Sequence, residues 1–236
     1  MRIKGVLKWC EHEIRMQVKN GMYPVYIIVN LIYIFALGYV PDGWKETVAI
    51  LLILSDPTFL GMIFVGGILL LEKNNSIPKG IGVSPIGSGG YILGKCFSLL
   101  LITAITANCI LVAGKIPIRL WKELAILLTA LLFTMIGMIL STFSKSLNHF
   151  IALFIGATVI GVLPIVLGCY FPDQLLLKWI PTFALFRVLI QDGFQLTSNI
   201  KVLTMGENLF FCLELVIWCV GTYVGTKHVI EKRLFV

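Results

Sequence analysis

Gly89 to Cys96 reads GGYILGKC, one residue short of the phosphate-cradling pattern GxxxxGK[ST]. In that pattern backbone amides and the lysine hold phosphates, and the hydroxyl binds the metal. The chemistry needs a strand before the loop and a soluble helix after it. Here Cys96 stands in place of the hydroxyl, and the chain runs on into the apolar stretch Cys96 to Ala113. The match reads as chance, and no ATP hydrolysis is expected of this chain. His12, His149 and His228 form no HExxH or paired-carboxylate set, and no GxSxG occurs. Cys10, Cys96, Cys109, Cys169, Cys212 and Cys219 show neither CxxC nor metal spacing, and read as small hydrophobes. An intramembrane enzyme is thus the weakest of the readings.

Two carboxylates remain inside apolar runs, where charge is expensive and commonly has a role. Asp56 lies in Ser55-Asp56-Pro57, which is also the signature of a helix cap followed by its first residue. It reads as a structural cap or as a pathway residue. Glu214 sits between Leu213 and Leu215. It is expected to face protein or a wet cavity, to carry a proton, or to reach the nearby outer interface.

The elements that position these residues follow from composition. Of 236 residues, 58% are hydrophobic and 13% charged, against about 25% charged in soluble domains. Mean hydropathy is +0.95. A helical span needs about 20 apolar residues. Six are expected: Met22–Val40, Thr47–Leu71, Tyr91–Ala113, Trp121–Ser141, His149–Phe171 and Asn208–Thr226. The fold class is therefore an all-α integral membrane protein, one transmembrane domain over 1–236. The N-terminus is charged and its first apolar run is of full span length, so no cleaved signal peptide is expected.

Before span one, Ile3, Val6, Leu7, Cys10, Ile14 and Val18 follow helical spacing, with Lys4, Lys8, Glu11, His12, Arg15 and Lys19 on another face. This predicts an interfacial amphipathic helix over 1–21, apolar face toward lipid. Leu175–Ile190 is too short and too broken by Pro181 to span, yet too apolar for a free loop. It reads as a re-entrant element or an interfacial hairpin within 172–207. Pro164 predicts a kink in span five, and Gly66, Gly67, Gly137 and Gly156–Gly161 offer small packing surfaces. Trp44, Trp121, Trp179, Tyr39 and Tyr170 fall near outer ends, as interfacial anchors do.

Twelve of the nineteen Lys and Arg fall on the side of the termini and of the loops after spans two and four. The positive-inside rule puts both termini in the cytoplasm, although Lys115, Arg119 and Lys122 cluster on the other side. The net charge of +7 reads as topology and lipid-headgroup contact, with no nucleic-acid partner. Glu72 to Lys95 is a polar, Gly- and Pro-rich interruption between two apolar runs and is expected to stand in water.

That stretch, in LLLEKNNSIPKGIGVSPIGSGGYILGK, resembles the cytoplasmic loop of ABC-2-type transporter permeases of bacterial exporters. The matching residues are Glu72, Lys73, Val83, Ser84, Pro85, Ile86, Tyr91, Ile92, Leu93, Gly94 and Lys95. Asn74, Asn75 and Ser76 depart from the E-R-G-T-type residues common there. The resemblance covers nearly the whole chain: the 1–21 helix as an elbow, six spans, and re-entrant half-helices before the last span. It implies a coupling loop over 72–90, with Glu72, Lys73, Ile77, Pro78, Lys79, Val83, Ser84 and Pro85 touching a separate ATPase subunit. It further implies ATP and Mg bound by that partner and none by this chain, and a second permease copy as homodimer or heterodimer. The bacterial cytoplasmic membrane is the expected location. The apolar walls suggest export of an amphipathic peptide or a lipophilic drug or toxin. The alternative is a secondary transporter or a substrate-binding membrane component without ATPase, although no internal repeat is evident.

Overall fold

The computed structural model describes residues 3–19, 21–55, 57–82, 84, 86–171, 174, 176–190 and 203–235. Among the described residues there are ten α-helices and a 3-10 turn, with no strand. They are α1 (Ile3–Lys19), α2 (Met22–Tyr39), α3 (Asp42–Ser55), α4 (Pro57–Asn74), α5 (Ile77–Gly82), α6 (Gly87–Ala113), α7 (Leu120–Phe143), α8 (Leu147–Tyr170), α9 (Pro181–Leu189) and α10 (Met205–Arg233). The 3-10 turn, Leu177–Trp179, precedes α9.

Six helical stretches are long and apolar enough to cross a membrane: α2, α3 with α4, α6, α7, α8 and α10. They match the six expected spans in order. The second stretch runs from Asp42 to Asn74 and includes α3 and α4 on either side of Asp56. Pro57 carries no N–H, so the Ile53 carbonyl four residues before it lacks its helical donor. Thr58 Oγ1 donates to that carbonyl at 3.0 Å and satisfies it. Asp56 itself lies outside the described residues. Pro164 is accommodated within a continuous α8.

α7 stands at the centre, packed on α4, α6, α8, α9 and α10. Its apolar stretch is 61% buried, whereas those of α2 and α8 are 11% and 17% buried. The last two therefore turn most of their surface outward. In hydrocarbon, helices gain little from apolar burial, so close approach and interhelical hydrogen bonds decide packing. Gly137 of α7 supplies the closest approach. A Cβ there would lie 2.8 Å from the Met62 Cα and 2.9 Å from a Val65 methyl of α4. Ser141 Oγ donates across the same pair to the Gly66 carbonyl at 2.9 Å. Asn30 of α2 donates to Thr106 Oγ1 of α6 at 2.9 Å, which fixes α2 to the bundle.

α9 is nine residues long, about 14 Å at the helical rise and too short to cross. Phe183, Ala184, Leu185, Phe186, Val188 and Leu189 are all buried, against α7, α8 and α10. α9 is thus packed within the bundle. Its apolar residues form one core with α3, α6, α7 and α10. A second core joins α4, α6, α7 and the end of α10.

Gly137→Ala is expected to cost about 1–3 kcal/mol through overpacking against backbone that cannot yield. Gly67→Ala, with nothing within 4 Å of the added carbon, is expected to leave the fold intact. Thermal unfolding of both variants in detergent checks the contrast.

Candidate functional site

A buried polar cluster gathers at the end of the bundle that holds α1, α5, the close of α4 and the start of α6. Lys95 is 0% exposed, on the third turn of α6. Its ammonium donates to both oxygens of Glu13, at 3.0 and 3.1 Å, and to Glu72 Oε1 at 2.6 Å. The Tyr91 hydroxyl donates to Glu72 Oε2 at 2.5 Å. The ammonium also lies 5.0 Å from the centroid of the Tyr91 ring. Glu13 and Glu72 are 1% and 4% exposed. One step along α6, Gln17 donates to Ser98 Oγ at 2.6 Å. Three helices, α1, α4 and α6, are thereby joined through one buried cation.

Helix α1 delivers Glu13 because Trp9, Glu13 and Gln17 recur at four-residue spacing, on one stripe. That stripe faces α6, with Trp9 and Tyr91 ring centroids 6.4 Å apart. Cys10 and Ile14 lie beside it, half-buried, and Val18 is exposed. Beside Cys10, Ile14 and Val18 there is thus a third, protein-facing stripe that the two-faced reading of 1–21 did not contain.

Two carboxylates against one ammonium leave an excess negative charge in a dry site. Burial raises the Glu13 carboxyl above its usual 4.5, outweighing the downward pull of Lys95, and the Glu72 charge adds to the rise. The folded state thus holds this proton more tightly than the unfolded chain. Its contribution to stability is present below about 4.5 and lost as pH rises through the folded value.

The residues expected to form the coupling loop divide into three groups. Glu72 belongs to the buried cluster and is no outer contact. Lys73 donates to the carbonyls of Thr142 and Ser144, at 3.1 and 3.0 Å, and so caps the end of α7. In α5, Pro78 is buried while Ile77 and Lys79 are exposed. Ser84 closes the turn after it, donating to the Ile81 carbonyl at 2.7 Å and accepting from the Ile86 amide. Val83 and Pro85 lie outside the described residues.

The expectation that all of Glu72 to Lys95 stands in water needs correction. α4 runs on to Asn74 and α6 begins at Gly87, so only about a dozen residues interrupt the helices. Both charged ends of the interval are buried because each neutralises the other. The phosphate-loop likeness dissolves for the same reason. Gly89 to Cys96 is helical, and the lysine that would reach a phosphate is spent on carboxylates.

Around this cluster the end is closed by the last turn of α10. Ser88 donates to Glu231, the Arg233 guanidinium lies 4.2 Å from the Phe143 ring, and Phe235 packs on Tyr91 with centroids 6.0 Å apart. Glu214 stands elsewhere, on α10, buried within the protein. An apolar cavity of about 470 Å³ opens between α3 and α8, lined by Leu51, Leu54, Ser55, Ile165 and Cys169. It shares no residue with the charge cluster. No three His, Cys, Asp or Glu among the described residues are grouped to hold a metal.

Comparison with known protein families, with characterised proteins and with solved structures yields no match.

Lys95→Met would strand two buried carboxylates and is expected to cost about 3–5 kcal/mol. Glu13→Gln is expected to be much milder and to flatten the decline of stability with rising pH above 4.5. Melting temperature followed across pH for the two variants and the parent tests both statements.

Proposed function

We propose that this chain is the membrane-spanning permease subunit of an ATP-driven exporter of the ABC-2 type. It would work with separate ATPase subunits and a second permease copy, identical or similar, in a bacterial cytoplasmic membrane with both termini inside. In this reading α1 is the elbow helix, and the segment containing α9 is the re-entrant element before the last span. ATP and Mg belong to the partner subunit.

One observation carries the proposal: α5 is short, partly exposed, and rooted in helices that are cross-tied directly behind it. It joins α4 to α6, and those two helices share the Glu72–Lys95 pair, with α1 added through Glu13. A displacement of α5 would be passed to α1, α4 and α6 together. A transmitting element has this form, since coupling needs a joint that moves between two arrangements as a unit. Ile77 and Lys79 are the exposed side chains of α5 that a partner would touch. The resemblance of residues 69–95 supplies the partner's class, and the outward-facing apolar surfaces of α2 and α8 supply area for a second copy. The cargo is an amphipathic peptide or a lipophilic drug or toxin. Asp56, at the junction of α3 and α4, is a candidate pathway residue.

The test is co-expression with a cognate ATPase subunit, with co-purification and vesicle-stimulated ATP hydrolysis as readouts. Ile77→Asp with Lys79→Glu is expected to abolish retention of the ATPase while the melting temperature stays near that of the parent. A chain that never retains an ATPase, or one indifferent to these changes in α5, would overturn the proposal. Asp56→Asn is expected to leave assembly intact and to alter transport into vesicles. Unchanged transport would remove Asp56 from the pathway.

A further inference from the structure

Three aromatic side chains gather along the stripe of α10 that carries one buried acid. Phe210, Glu214 and Trp218 follow at four-residue spacing, so they share one stripe of the helix. Both flanking residues engage Trp179, the last residue of the 3-10 turn. The Phe210 ring meets the Trp179 ring nearly edge to face, with centroids 5.9 Å apart and 79° between planes. The Trp218 indole N–H donates to the Trp179 carbonyl at 3.1 Å. Trp179 is thus held to the turn before Glu214 and to the turn after it.

Burial separates the acid from its neighbours. Glu214 is 3% exposed, while Phe210, Trp218 and Trp179 are 43%, 44% and 56% exposed. Neither Glu214 oxygen has a hydrogen-bond partner among the described residues. A buried carboxylate without a partner is costly, and one retained inside a membrane helix needs compensation. Position along the helix sharpens this. Glu214 lies nine residues beyond Met205, about 14 Å along the axis, which sets it within the apolar part of α10.

The surroundings select the compensating partner. A hard metal cation takes six or more oxygen ligands, and here one carboxylate is flanked by aromatic rings. Aromatic faces attract organic cations, most strongly where water is excluded. Leu213 and Ile217, beside the stripe, are exposed and apolar, so the outer surface here suits an apolar body.

We propose that Glu214, Trp179, Phe210 and Trp218 form a binding site for a lipophilic organic cation, entered from the bilayer. The carboxylate takes the charge, and the rings take the apolar body. That such a molecule is also the exported cargo rests on the export reading; the binding site does not.

The experiment uses the purified full chain in lipid nanodiscs, with no ATPase present. The probe is tetraphenylphosphonium, and its same-shaped anion tetraphenylborate is the control. Equilibrium binding is expected to saturate at one site per chain, without competition from the borate. Glu214→Gln, which keeps the shape and removes the charge, is expected to weaken binding at least about tenfold, as a desolvated charge contact would. Trp218→Leu is expected to weaken it several-fold, so either variant carries the test if the other folds poorly. Equal affinity in both variants, equal competition by the borate, or binding that never saturates would overturn the site. Binding retained in a chain that assembles with no ATPase would count against the export reading alone. Binding absent from a chain that does assemble with an ATPase would count against this site alone.

Discussion

The Lys95 ammonium cannot be left unpaired inside a protein, and much of one end of this molecule is arranged around that fact. Bringing such an ion out of water costs several kcal/mol, which only close, complete hydrogen bonding repays. Glu13 and Glu72 supply that bonding from two other helices, and Tyr91 satisfies the remaining oxygen of Glu72. The requirement fixes the rotation of α1, since only the Trp9–Glu13–Gln17 stripe can face α6. It also fixes the axial register of α4 against α6, since a slip of one turn would part Glu72 from Lys95. Apolar contacts tolerate sliding; a buried ion pair does not. An end built this way is stiff.

The remainder of the bundle is held by different means. Gly137 brings α7 onto the α4 backbone, and Asn30 and Ser141 bridge helices through single hydrogen bonds. Such contacts are short-ranged and insensitive to charge. The opposite end, around α9, holds a large apolar core with aromatic side chains at its margin, and Thr182, Asn208 and Glu214 are buried beside it. The α1 end, through Glu13, consequently responds to pH.

Spans were legible because length and apolar composition act locally and leave little choice: a run of twenty such residues has to be a helix in hydrocarbon. The charge cluster was not. Glu13 hid on a third stripe of α1, adjoining an apolar stripe that drew the eye to lipid. Lys95 counted as one more basic residue at a membrane edge, because spacing along a chain says nothing of which other helix supplies a counter-charge. Glu214 was visible as an oddity, yet its aromatic cover comes from Trp179, thirty-five residues earlier, and only tertiary structure joins them. Local rules identify which residues are expensive to bury; they do not identify what compensates them.

The arrangement of the ion triad also bears on how the chain is made. Glu13 and Glu72 both precede Lys95 in sequence, and synthesis runs from the N-terminus. Both counter-charges have therefore left the ribosome before the lysine appears. α6 can enter the membrane with its cation already matched, whereas the reverse order would ask a naked ammonium to wait in hydrocarbon. The order of the three residues along the chain suits insertion as well as the finished fold.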